Sequence, residues 1–98
     1  MDNIKLYAVL DKDSDTISNV FLSGDNVSAG RFMVREFKAI YKDVPDNLKK
    51  DFLERVNNTA IVKIGEIDPL NKSVIQDYNL ICDFAGFDFG DNDGKEAN

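Results

Sequence analysis

The sequence has no histidine and no tryptophan, and its only cysteine is Cys82. Without histidine the chain lacks the commonest general base and the commonest metal ligand, which excludes Ser-His and Cys-His catalysis and ordinary zinc sites. A single cysteine cannot form an internal disulfide, which fits a reducing compartment and excludes a disulfide-stabilised secreted scaffold. Glycine-rich phosphate loops and nucleophile elbows are also absent. We therefore expect a protein that is not an enzyme and that uses no metal or other cofactor.

Long apolar runs are missing as well. No stretch approaches the roughly 18 to 20 apolar residues that a membrane helix needs. The first residues, Met1-Asp2-Asn3-Ile4-Lys5, lack a basic stretch followed by an apolar run. We therefore expect no membrane partner and a cytoplasmic location. The 98 residues, of which 43% are hydrophobic and 31% charged, fit one small globular domain.

Charge is unevenly distributed along the chain. The total is -6 at pH 7, yet residues 31–63 hold eight basic and five acidic side chains, a local balance of +3. The flanking residues 1–30 and 64–98 have local balances of -3 and -6. Because screening limits electrostatic interactions to about 10 Å, the basic middle can still meet a polyanion.

Hydrophobic periodicity predicts four strands and two helices. Alternation predicts strands at 4–10, 17–22, 59–67 and 73–84, with turns between the members of each pair, although the apolar pairs of the last segment would also suit a helix. In the first strand we expect two faces, with Lys5, Tyr7 and Val9 on the wetter one. A long helix is predicted over 26–42, after capping residues at 23–25, and a shorter one over 46–56, after Pro45. Their predicted inward residues are Val27, Met33, Val34, Phe37, Ile40, Tyr41, Val44, Leu48, Phe52 and Val56.

This order of elements predicts an α+β fold. We expect an antiparallel sheet of about four strands, built from two hairpins, with one long and one short helix packed on one face. Residues 1–89 are predicted to form this single domain. Residues 90–98 lose hydrophobic periodicity and become acidic, and we expect them to form a flexible tail.

The candidate binding site is a set of basic residues on the long helix. Arg31, Arg35, Lys38 and Lys42 are separated by four, three and four residues, so they occupy one arc of about 60° on a helix. Four cations over about 17 Å of helix can follow successive phosphates of one nucleic acid strand. Four further basic residues could widen this track: Lys49, Lys50, Arg55 and Lys63. The alternative is a solvated helix border that binds nothing.

Phe32 adds an aromatic side chain beside these cations. It is predicted to project away from the core, and an aromatic ring next to basic residues is typical of single-stranded nucleic acid binding, where bases stack on it. Two other interpretations remain open. Phe32 could form a dimer contact, or it could pack under the second helix.

Several short motifs in order resemble one viral family. They are Tyr7-Ala-Val-Leu-Asp11, Val20-Phe21, Asn26-x-x-Ala29-x-Arg31 and Ile61-Val-Lys-Ile-Gly65-Glu-Ile-Asp68. Over about residues 4–75 the chain resembles the small nonstructural DNA-binding protein from the fifth open reading frame of gokushoviruses, Microviridae with circular single-stranded DNA. The family usually has a short link after the long helix, whereas here Pro45 is followed by a second helical segment.

The resemblance implies a nonstructural protein that binds single-stranded DNA in the cytoplasm of the bacterial host. It would assist the change from genome replication to packaging, and Arg31 carries over from the Ala-x-Arg motif. A homodimer is also expected, because a four-stranded sheet leaves unpaired edges. The alternative is an adaptor that binds a phage replication or capsid protein through Phe32, Phe87 and Phe89 together with the acidic tail.

Overall fold

The computed structural model describes residues 2–90 and confirms the α+β fold class. The elements, in chain order, are strands β1 (Ile4–Asp11) and β2 (Thr16–Ser23), helix α1 (Asn26–Asp43), a 3-10 turn (Asp46–Leu48), helix α2 (Lys49–Asn57), and strands β3 (Thr59–Asp68) and β4 (Ser73–Asp83). Each bound lies within about one to three residues of its prediction. Residues 91–98 of the predicted tail lie outside the described residues.

The four strands form one antiparallel sheet in the order β2-β1-β3-β4. The two predicted hairpins are present, and β1 and β3 join them at the centre. Aspartate side chains organise both hairpin turns. Asp11 accepts hydrogen bonds from the backbone N–H groups of Asp13 and Ser14, and Asp68 accepts them from Leu70 and Asn71. Such side chain to backbone bonds are local, which is why the turns could be read from sequence.

Helix α1 begins at an aspartate cap and lies across the sheet. The Asp25 carboxylate accepts a hydrogen bond of 2.7 Å from the Ser28 backbone N–H, and this bond is the main cause of the lowered pKa of Asp25. The buried residues of α1 are Ala29, Met33 and Phe37, spaced four residues apart along one face. They form the core together with residues of the sheet and of α2, including Tyr7, Ile61 and Val56.

The structure corrects the predicted inner face of β1. Tyr7 is completely buried beneath the helices, and its hydroxyl donates a 2.8 Å hydrogen bond to the Asn26 side chain. The face expected to be wetter is therefore the one that the helices cover. Side-chain alternation shows that a strand has two faces, but the position of the helices decides which face is covered.

Three predicted core positions on the helices are also wrong. Val27, Ile40 and Leu48 are 62%, 52% and 47% exposed. Val27 lies at the edge of the predicted apolar arc, Ile40 lies beyond Phe37, the last buried residue of α1, and Leu48 belongs to the 3-10 turn that precedes α2. Phe52 packs against the core, and Val56 is buried as predicted.

The chain after β4 returns to the helices and completes the core with aromatic rings. Phe84 meets Phe37 edge to face at 5.0 Å between ring centroids, and Phe89 stacks on Tyr41 at 4.0 Å. The Asn57 side-chain amide donates 2.8 Å hydrogen bonds to two backbone carbonyls of this segment, those of Phe84 and Phe87. This segment is therefore part of the folded domain.

Candidate nucleic-acid interface

The four cations of α1 lie on the side of the helix that faces away from the sheet. The turn angle of about 100° per residue places Arg31, Arg35, Lys38 and Lys42 opposite the buried face. We call these four residues the basic row, and all four are exposed. The sequence predicted an arc beside the core stripe, whereas burial of Ala29, Met33 and Phe37 leaves the row pointing outward.

No carboxylate forms an ion pair with the basic row within residues 2–90. The ion pairs of this region join Lys12 to Asp83 and Lys63 to Glu66 and Asp77. The acidic residues nearest in sequence, such as Glu36 and Asp43, are exposed on the helix without pairing with the row. The guanidinium and ammonium groups of the row therefore keep their donors available for an anion.

Two of the four additional predicted cations are engaged inside the subunit. The Lys49 ammonium donates a 2.8 Å hydrogen bond to the Tyr41 carbonyl and lies 4.0 Å from the centroid of the Tyr41 ring. The Lys63 side chain is 11% exposed and lies between two carboxylates, with Nζ 2.5 Å from Glu66 and 2.9 Å from Asp77. Hydrogen bonds to these carboxylates raise the pKa of Lys63. We therefore leave both lysines out of the binding surface.

The other two cations lie on α2. Lys50 and Arg55 are exposed and form no ion pair with described residues. Arg55 lines a cleft between the two helices together with Ile40 and Asp43. That cleft is on a flank of α1, so Arg55 does not continue the line of the basic row.

Phe32 lies on the flank of α1 that faces β2. Its ring is 43% exposed and lies 5.2 Å from the ring of Phe21, measured between centroids. One side of Phe32 therefore packs on the sheet, and the rest of the ring is accessible. At about 100° per residue, it is turned roughly 100° from Arg31, so it flanks the row rather than belonging to it.

A groove on the other side of the row was not predicted. It has a volume of about 510 Å³ and lies between α1 and β4. The residues lining it are Asn26, Val27, Gly30, Arg31, Val34, Arg35, Ile81 and Cys82. Burial, with a smaller effect of Asp83, raises the pKa of Cys82, so the thiol stays neutral and the floor stays apolar.

The groove joins two kinds of contact that a nucleotide needs. Arg31 and Arg35 belong to both the basic row and the groove, so two guanidinium groups border an apolar floor. Guanidinium groups bind phosphate, and apolar surface can contact the face of an unstacked base. Gly30 leaves space here, because a Cβ atom built on it would meet nothing within 4 Å. This half-buried glycine on the flank of α1 was the sequence signal available for the groove.

Within residues 2–90, no group of three or more cysteine and carboxylate side chains could hold a metal ion. Neither α1 nor α2 has the length and apolar content required to cross a membrane. Comparison of the chain with family models, curated proteins and solved structures finds no match.

Proposed function

We propose that this protein binds single-stranded DNA through the basic row and the adjoining groove. The observation that carries the proposal is the alignment of four exposed cations, free of intramolecular ion pairs in the described residues, along about 17 Å of one helix. Such a line of positive charge suits a phosphate backbone. It lies within a protein of net charge -6, so attraction of a polyanion would be confined to this surface.

The groove favours a single strand over a duplex. In a duplex the bases are stacked and paired, so their faces cannot reach an apolar floor beside Arg31 and Arg35. In a single strand, a base can turn toward the groove while its phosphate stays with the guanidinium groups. The half-exposed ring of Phe32 offers a second apolar contact on the opposite flank.

The biological role that we propose follows the family resemblance. The protein would act as a nonstructural protein of a small single-stranded DNA phage, in the bacterial cytoplasm, where binding of the newly made strand would assist the change from replication to packaging. The adaptor hypothesis has less support. Phe87 and Phe89, two of its three contact residues, are half-buried and pack against the aromatic core.

The experiment is a fluorescence anisotropy titration of a labelled single-stranded oligonucleotide with matched charge reversals. Arg35→Glu changes the row, and Lys72→Glu makes a similar charge change at an exposed site in the β3–β4 turn. We expect Arg35→Glu to weaken binding roughly tenfold, equivalent to about 1.4 kcal/mol, and Lys72→Glu to have little effect. An equal loss in both variants would show that only net charge matters and would refute the site. A preference for duplex DNA would refute the role of the groove.

A further inference from the structure

The two faces of the sheet are covered very differently. The core residues Tyr7 and Ile61 point toward the helices, and so does the Cys82 side chain, which packs against the same core. The aromatic segment after β4 packs on this side too. Within residues 2–90, no element covers the opposite face, which we call the open sheet face.

The strand register shows which residues the open sheet face contains. Leu6 pairs with Leu22 and Gly65, and Val62 pairs with Ala8 and Leu80. Leu6 and Ala8 are the strand neighbours of the core-facing Tyr7, so they and their partners lie on the open sheet face. By the same alternation the full set is Ile4, Leu6, Ala8, Leu10, Ile17, Leu22, Ala60, Val62, Gly65, Ile67, Val74, Gln76, Tyr78 and Leu80, with Asp83 at one end. Apart from Asp83 and its ion-pair partner Lys12 at that end, the described residues put no charged side chain on this face.

The open sheet face exposes large apolar side chains around a buried centre. Leu22, Leu80 and Val74 are 59%, 58% and 72% exposed, whereas Ala8 and Val62 at the centre are fully buried. Isolated exposed leucines are ordinary, but a contiguous apolar patch of several hundred Å² marks an interaction surface.

We propose that the open sheet face binds the same face of a second copy, which makes the protein a homodimer of two sheets packed face to face. Four strands about 4.8 Å apart, each about 30 Å long, give a flat area of roughly 550 Å². A biological interface buries at least about 1,000 Å² in total, which is about 500 Å² on each partner. The open sheet face therefore reaches the minimum size of a specific dimer interface.

The absence of charge favours a second copy over the other possible occupants. Two chains of net charge -6 repel each other over most of their surfaces, but at this face no like charges meet in the interior of the contact. A basic or acidic partner would find nothing here to pair with. Residues 91–98, Asp-Asn-Asp-Gly-Lys-Glu-Ala-Asn, contain one apolar side chain, so their composition does not suit an apolar face.

This arrangement has a consequence that rests on the proposed function. The basic row lies on the outer side of α1, away from the sheet, so the dimer would carry its two rows on opposite outer surfaces. Each dimer would then hold two separate strands, or two segments of one strand. The interface itself does not depend on DNA binding and is tested without DNA.

The test is sedimentation equilibrium of the full chain at about 100 µM, well above a micromolar Kd. We expect twice the 11.0 kDa mass of the chain. Leu80→Glu and Leu22→Glu, on opposite edge strands, should each raise the dimer dissociation constant roughly 30-fold or more, because each puts a charge into the apolar contact. Leu70→Glu, in the β3–β4 turn at 74% exposure, is the matched control and should leave the dimer intact. Circular dichroism checks the fold of each variant.

Several results would overturn this inference. If the wild-type protein is a monomer and binds the dye ANS, the open sheet face is exposed and is a site for a different protein. A wild-type monomer that does not bind ANS would mean that the chain's own residues cover it. A dimer that is unchanged by both Leu80→Glu and Leu22→Glu would use another surface, such as the unpaired edges of β2 and β4. A dimeric wild-type protein that does not bind the single-stranded oligonucleotide would instead count only against the proposed function.

Discussion

The dependence of DNA affinity on salt tests the number of phosphate contacts directly. Each phosphate neutralised on a single strand contributes about -0.7 to the slope of log Kobs against log salt concentration. Contact by all four cations of the basic row therefore predicts a slope of about -2.8. Raising the salt from about 50 to 200 mM should then weaken binding about 50-fold.

Removing two members of the row should halve that slope. For the double variant Arg31→Ala with Arg35→Ala, the expected slope is about -1.4, and the same rise in salt should weaken binding only about sevenfold. Lys63→Gln should leave the slope unchanged, because Lys63 is already bound to the carboxylates of Glu66 and Asp77. Lys72→Ala, in the distant turn, is the control for a simple change in net charge.

The assay is fluorescence anisotropy of one labelled oligonucleotide at several salt concentrations, with the fold of each variant checked by circular dichroism. A DNA affinity that does not change with salt concentration would show that the protein does not contact phosphates, and it would refute binding through the basic row. The same conclusion would follow if the double variant kept the wild-type slope. If Lys63→Gln reduced the salt slope more than the row variants do, the bound DNA would lie on the sheet and not on α1.

Three further predictions concern stability, each measured by urea unfolding. Asn57→Ala removes two 2.8 Å hydrogen bonds to the segment after β4 and should lower the free energy of unfolding by about 2 kcal/mol; no change would mean that the segment is not anchored there. Gly65→Ala should lower the free energy of unfolding by about 1–3 kcal/mol, because the new Cβ would lie 2.5 Å from the Ile75 carbonyl oxygen. Gly30→Ala in α1 should raise the free energy of unfolding by about 0.5–1 kcal/mol, because alanine favours a helix and the new Cβ would meet nothing within 4 Å. Equal effects of the two substitutions would contradict both arguments. The hydrogen bond from Lys63 lowers the pKa of Glu66 from its ordinary 4.5. The stabilisation that this pair gives the fold should therefore be complete above about pH 4.5 and be lost as the pH falls through the lower pKa of the folded state. Lys63→Gln should reduce the loss of stability at acid pH, and an unchanged pH dependence would exclude the pair as its cause.

Local signals in the sequence account for most of the element boundaries. Asp11 and Asp68 bond their own following backbone, Asp25 caps α1, and Pro45 ends it, so each of these elements begins or ends through residues near in sequence. Alternation and helical periodicity supplied the rest. Such patterns could be read without knowing what packs against what.

The candidate site could be predicted only in part, because it also depends on residues that are far apart in sequence. The spacing of the row follows from helix geometry, so its four members could be grouped from sequence alone. That Lys63 is paired could not be predicted. Glu66, three residues on, shares its face only because the strand register shifts between Lys63 and Gly65, and Asp77, fourteen residues away, meets it only across the β3–β4 register. The groove depends on Gly30 facing Ile81, two residues that only the packing of α1 on the sheet brings together.

The sequence by itself determined the strands, the helices, their turns and the alignment of four cations, because each of these depends on residues within a few positions of one another. The tertiary structure alone decided that Tyr7 is inside, that Val27 and Ile40 are outside, and that the row faces solvent without a carboxylate partner among residues 2–90. It also decided which side of the sheet is apolar and is left uncovered by the part of the chain that the structure describes. These features depend on which face meets the helices, and an alternating strand is compatible with either choice until the helices are in place.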